Sequence, residues 1–213
     1  MSQEFIKRFL SSLVIVPIAF FFIIKGSIFF NFFILVILSI SLYEWHYLSL
    51  KKIYYLPGFI FIIFSLYTCY FFRNEGDYKF FLLILIICIS TDIGGYFFGK
   101  ILKGPKLNKI SPNKTYAGMI GGFLLSIISS NLYFNNLNFF TQSNDANMSI
   151  QIIIIVLYVS FVSQFGDFVI SFFKRKSKFK NTGNIIPGHG GLLDRIDGMI
   201  FAFPFTYILL KIL

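Results

Sequence analysis

Seven apolar segments follow one another along the chain, at about Phe9 to Ile24, Ser27 to Leu50, Ile53 to Phe72, Phe80 to Gly99, Ala117 to Phe134, Ile150 to Phe172 and Ile196 to Leu213. Most approach the ~20 residues that a helix needs to cross the hydrocarbon core of a bilayer. Lipid offers no partners to backbone amides, so such a segment satisfies its own hydrogen bonds by folding as a helix. The pattern predicts an all-α, polytopic integral membrane helix bundle of about seven transmembrane helices, with residues 1–213 as one integral membrane domain. A mean hydropathy of +0.76 excludes the ordinary soluble class. The first segment resembles a secretory signal, but no small-residue cleavage site follows it, so it is read as an uncleaved first helix.

The basic residues give the orientation, since Lys and Arg concentrate on the cytoplasmic side of membrane proteins. A cytoplasmic N-terminus puts Lys7, Arg8, Lys51, Lys52, Lys100, Lys103, Lys106, Lys109, Lys114, Lys174, Arg175, Lys176, Lys178, Lys180 and Arg195 inside. Only Lys25, Arg73, Lys79 and Lys211 then fall outside. The formal charge of +10 therefore reads as topology and phosphate chemistry, not as a nucleic-acid interface. Cys69 and Cys88 sit in apolar segments without metal-ligand or redox spacing, and His46 and His189 are far apart.

The carboxylates are distributed less simply. With this topology Asp92 lies about 12 Å from the cytoplasmic end of its helix and Asp167 about 10 Å, at 1.5 Å per residue. Glu44, Asp194 and Asp197 belong to the same half. Left alone in lipid, Asp92 and Asp167 together would cost roughly 5–7 kcal/mol, so a polar cavity and bound cations are expected beside them.

The densest stretch runs from Gly166 to Asp197 and combines three carboxylates, a basic run and a Pro-Gly-His-Gly-Gly turn. Asp194 and Asp197, three apart, share a face if the last helix starts at or before them. With Asp167 they offer the hard oxygen ligands Mg²⁺ prefers, leaving coordination positions for substrate phosphates. The bland alternative has Asp194 capping the helix and Asp197 pairing with Arg195. Lys174 and Arg175, nearest the carboxylates, are candidate phosphate contacts, while the remaining lysines of the run suit anionic headgroups. The glycines around His189, including Gly190 and Gly191, permit amides to face a phosphate. Ser111, Lys114 and Thr115 add hydroxyl and ammonium donors on the same membrane side. Gly95/Gly99 and Gly118/Gly122 are small-xxx-small pairs for close helix packing, within one chain or between two.

These residues resemble the phosphatidate cytidylyltransferases, or CDP-diacylglycerol synthases. The family signature is matched by Ser171-Phe-Phe-Lys174-Arg175, Lys180-Asn181-Thr182-Gly183 and Pro187-Gly-His189-Gly-Gly-Leu-Leu-Asp194-Arg195-Ile-Asp197. Asp92-Ile-Gly94-Gly95-Tyr96, Ser111-Pro112-Asn113-Lys114-Thr115 and Glu44-Trp45 resemble further family elements. Asn181 stands where the family usually has Asp, Tyr116 where Trp is common and Ala117 where Glu is common.

The resemblance implies transfer of CMP from CTP to phosphatidic acid, giving CDP-diacylglycerol and pyrophosphate, at a site facing the cytoplasm in a bacterial-type inner membrane. Carried over, Asp167, Asp194 and Asp197 hold Mg²⁺ and leave room for a second cation. Lys174, Arg175 and His189 join them as catalytic candidates. Ser111, Lys114, Thr115, Gly190, Gly191, Arg195 and Asp92 contribute to substrate binding. The implied partners are CTP, phosphatidic acid and membrane lipids, with a homodimer left open. Two rivals are a CTP-dependent enzyme of a prenyl or ether lipid and a cation transporter that uses intramembrane carboxylates. The absence of an Asp-Gly-x-x-Ala-Arg start around Asp194 counts strongly against a third rival, a CDP-alcohol phosphotransferase.

Overall fold

The computed structural model describes residues 3–107, 111, 114–136 and 146–212. These form seven helices and no strand: α1 (Gln3–Lys25), α2 (Ser27–Ser49), α3 (Tyr55–Asn74), α4 (Tyr78–Leu102), α5 (Tyr116–Asn136), α6 (Ala146–Lys176) and α7 (Leu193–Ile212). Five of them, α2 to α6, are long and apolar enough to cross a membrane. The apolar stretch of α1, Phe9–Lys25, is shorter. α7 carries Asp194, Arg195 and Asp197 in its opening turns, which lowers its apolar character. The chain is thus an integral membrane protein of the all-α class. The polar outer loop expected around 135–149 and the residues Lys109, Pro112 and Asn113 lie largely or wholly outside the described residues.

Two helix ends depart from the bounds expected from the sequence. α6 continues one turn past Phe172, so Lys174, Arg175 and Lys176 form its last turn. There their charges meet the negative end of the helix dipole. α3 starts at Tyr55, after a turn in which Lys51 takes φ of 61°.

The chain divides into two compact units, Met1–Asp77 with Phe173–Asp197, and Tyr78–Phe172 with Gly198–Leu213. In the first, Trp45 is the hub. Its indole nitrogen donates to the Tyr55 carbonyl at 3.0 Å. Its ring meets Phe173 edge-on at 5.4 Å, and Gly58 supplies the space that any side chain would take from it. Tyr54 hydrogen-bonds Ser177 at 2.7 Å and lies under the Lys176 ammonium. Together these contacts tie the end of α6 to α2 and the start of α3. Arg73 donates to the carbonyls of Ile23 and Ile24, the last turn of α1.

In the second unit α4 and α5 pack almost backbone to backbone. A Cβ on Gly118 would stand 2.6 Å from the Gly95 carbonyl oxygen, and one on Gly94 2.5 Å from that of Gly121. Both small-residue pairs are therefore used inside the chain. Thr91 of α4 and Ser160 of α6 share a buried hydroxyl–hydroxyl bond of 2.8 Å, and Phe81 stacks on Phe203 of α7 at 5.4 Å.

Candidate active site

The signature stretch closes on itself in the first unit. Lys174 reaches from the last turn of α6 to Asp194 Oδ1 at 2.7 Å, with only 12% and 9% of the two side chains exposed. The other oxygen, Oδ2, accepts from the backbone amides of Thr182 at 2.9 Å and Gly191 at 3.2 Å. Asp194 thus joins three parts of the signature: the basic helix end, the Lys180–Gly183 turn and the glycine turn. The capping alternative is partly realised, because these bonds do anchor the chain entering α7. The same carboxylate also carries an ammonium, which a cap does not require.

Glu44 does more than the sequence reading assigned it. It is 1% exposed, and its carboxylate accepts from Leu192 N at 2.8 Å, Leu193 N at 2.8 Å and the Thr182 hydroxyl at 2.9 Å. The first amides of a helix lack partners within it and carry partial positive charge, so an anion there is favoured. An acid from α2 therefore fills the role that a capping residue of α7 itself would normally play. The signal in the sequence was an acid inside an apolar run, which demands partners. Their identity depends on a contact 148 residues away.

Glu44 also changes the reading of the glycine turn. Its amides were expected to face a phosphate. In the structure His189 N and Gly190 N donate to the Ile186 carbonyl, Gly191 N donates to Asp194, and the next two donate to Glu44. These donors are engaged internally, and the turn is a braced support rather than an open anion cradle. Gly190 takes φ of 90°, a conformation that suits glycine.

His189 is held between the Ser11 and Ser12 hydroxyls, 2.8 Å from Nδ1 and 3.3 Å from Nε2. Arg195 donates to the His189 carbonyl at 2.7 Å. Arg195 and Arg175 are exposed, and Asp197 is buried at 8% exposure.

The second unit holds the other group of candidates. The loop between α4 and α5 folds back on itself through Leu107 N to Lys114 O at 2.8 Å and Tyr116 N to Pro105 O at 3.2 Å. This brings the Lys114 ammonium 2.7 Å from Asp167 Oδ2, with 34% and 23% of the side chains exposed. Lys114 is thus the cation that the chain itself places beside this carboxylate. Thr115 caps α5, its hydroxyl accepting from Gly118 N at 3.1 Å. Ser111 accepts from Lys114 N through its carbonyl, and Asp92 lies on an exposed face of α4.

Two carboxylates of the signature chemistry, one in each unit, therefore hold a cationic nitrogen at 2.7 Å. Hard anionic oxygens that already attract a cation match in kind the donors Mg²⁺ takes. Among the described residues no three His, Cys, Asp or Glu side chains are gathered as a metal cage. Mg²⁺ does not need one, since it commonly keeps its waters and binds through one or two carboxylates plus substrate phosphates.

With the braced turn and its ion pair in view, the comparison with known proteins is decisive. The model described as the Cytidylyltransferase family matches residues 53–213. The chain belongs to that family. A protein of Rickettsia bellii (strain RML369-C) named phosphatidate cytidylyltransferase is 36% identical over 169 residues, covering 78% of this chain and 73% of its own. Proteins of the same name from Staphylococcus aureus (strain COL) and Bacillus subtilis (strain 168) are 42% identical over 142 residues and 40% over 128. Those matches cover 65% and 60% of this chain. The chain spans about half the length of these two relatives, 51% and 45%. The signature elements from Lys174 to Asp197 all fall inside the region matched by the cytidylyltransferase model.

Proposed function

We propose that this cytidylyltransferase-family chain transfers CMP from CTP to phosphatidic acid, yielding CDP-diacylglycerol and pyrophosphate. The observation that carries the reading is the Lys174–Asp194 pair, buried within an ordered family signature. A phosphate oxygen of the lipid attacks the α-phosphorus of CTP, and the bond from that phosphorus to the β-phosphate oxygen breaks. The nucleophile is already an oxyanion, so no strong base is required. The barrier is mainly charge repulsion between two anions, which fixed cations lower.

Lys174, Arg175, Arg195 and Lys114 are the cations of this chain suited to the phosphates. Lys174 is the one held rigidly by a buried partner. Asp167, Asp194 and Asp197 are the proposed Mg²⁺ ligands, supported by their place in the signature and their hard-oxygen chemistry. Bound Mg²⁺ would neutralise the triphosphate and polarise the reacting phosphorus. His189 shapes the turn between Ser11 and Ser12, which favours positioning over a role at the nucleotide. The clustering of Lys and Arg supports a site facing the cytoplasm, where CTP is dissolved and the lipid phosphate lies at the bilayer surface.

The test is conversion of CTP and phosphatidic acid to CDP-diacylglycerol by purified protein in detergent, with Mg²⁺ or with EDTA. Product that depends on Mg²⁺ is expected. A folded sample that makes none with phosphatidic acid but does with a prenyl phosphate would move the lipid assignment and leave the transfer chemistry standing.

A further inference from the structure

We propose that Glu44 is a positioning residue of the transferase site, a latch that fixes the Thr182–Asp194 segment and so sets the Lys174–Asp194 pair. The kinetic part of this inference rests on the cytidylyltransferase reading; the latch itself does not. Three donors converge on the carboxylate, one from the Lys180–Gly183 turn and two from the start of α7. Thr182 is bound twice, its hydroxyl by Glu44 and its amide by Asp194. The two carboxylates therefore share a residue, and a shift of one moves the other.

A second observation points the same way. A Cβ on Gly183 would stand 2.7 Å from Glu44 Oε1, and one on Gly191 2.7 Å from Oε2 while also meeting the Thr182 hydroxyl. Two glycines of the signature thus leave the room that this carboxylate occupies. The acid sits on α2, ahead of the region matched by the family model, and touches neither arm of the ion pair. It acts only through the segment it holds.

Glu44→Gln keeps the shape but turns an NH₂ toward backbone donors. In hydrogen–deuterium exchange of the purified protein in detergent, peptides covering 182–193 should exchange at least tenfold faster, with α4 and α5 unchanged. In the transfer assay kcat should fall roughly tenfold to a hundredfold, the size seen when a ligand's supporting partner is lost. KM for CTP should rise as well. Loss of folded protein would lower kcat and leave KM where it was, so an unchanged KM would overturn the positioning role. Unaltered exchange in 182–193, or faster exchange spread equally over the chain, would overturn the latch. Thr182→Val removes one of the three donors and should give a smaller effect in the same direction. Combined with Glu44→Gln it should add almost nothing, because both act on one linkage; full additivity would count against the proposal. A wild-type protein that transfers no CMP would overturn the functional reading alone, and the exchange measurement would still decide whether Glu44 holds the segment.

Discussion

The ammonium of Lys174 lies 2.7 Å from Oδ1 of Asp194, and about nine-tenths of each side chain is withdrawn from solvent. A pair so placed differs from a surface salt bridge. Removing one partner leaves a buried charge with no counter-ion, at a cost of about 3–5 kcal/mol. Lys174→Met should therefore lower the thermal unfolding midpoint in detergent and reduce CMP transfer at least a hundredfold. The double variant Lys174→Met/Asp194→Asn, with both charges gone, should recover much of the midpoint and none of the activity. Recovery of activity would show that the pair is only structural.

Lys114 and Asp167 form a pair of the same length but greater exposure. Without the lysine, Asp167 would be left in the membrane with no cation from the chain beside it, at a cost of about 2.5–3.5 kcal/mol. Lys114→Met should therefore lower the unfolding midpoint and also cut transfer at least tenfold. A loss of stability without a loss of transfer would reverse the assignment of this lysine.

Asp197→Asn should abolish turnover and still give a folded protein, as read by size-exclusion elution in detergent. Asp194→Asn should abolish turnover and also lower the unfolding midpoint, because it strands the Lys174 ammonium. For Asp167→Asn the Mg²⁺ concentration at half-maximal rate should rise. An unchanged Mg²⁺ dependence, or near-normal turnover in either of the first two variants, would remove those residues from the metal set.

The α4–α5 contact predicts opposite signs for two neighbouring substitutions. A methyl on Gly118 would press on the Gly95 carbonyl at 2.6 Å, and Gly118→Ala should destabilise by about 1–3 kcal/mol. A methyl on Gly95 would meet only the Gly118 carbonyl, at 3.8 Å. Gly95→Ala should be neutral or gain up to about 1 kcal/mol from helix propensity. Thermal unfolding of the two variants side by side would check the packing.

The family was legible in the sequence because carboxylates, basic residues and glycines stood in a fixed order from Lys174 to Asp197. Much of the site's wiring was not. Nothing local distinguishes Gly191, whose amide meets Asp194, from an open phosphate-binding glycine. The role of Ser11 and Ser12 at His189 spans 178 and 177 residues of chain. Lys114 reaches Asp167 only because the loop before α5 folds back at Pro105 and Leu107.

What the sequence determined by itself was the solvent of the fold and the order of its parts. Apolar segments long enough for a bilayer must be helices there, and Lys and Arg between them mark one side. What only the tertiary structure decided was which partner satisfies each buried charge: Glu44 the amides of α7, Lys174 the carboxylate of Asp194, Lys114 that of Asp167. The physical reason is the difference in range. Burial of apolar surface and backbone hydrogen bonding in a helix depend on residues a few positions apart. Compensation of a buried charge needs one particular atom within about 3 Å, and only the folded chain brings it there.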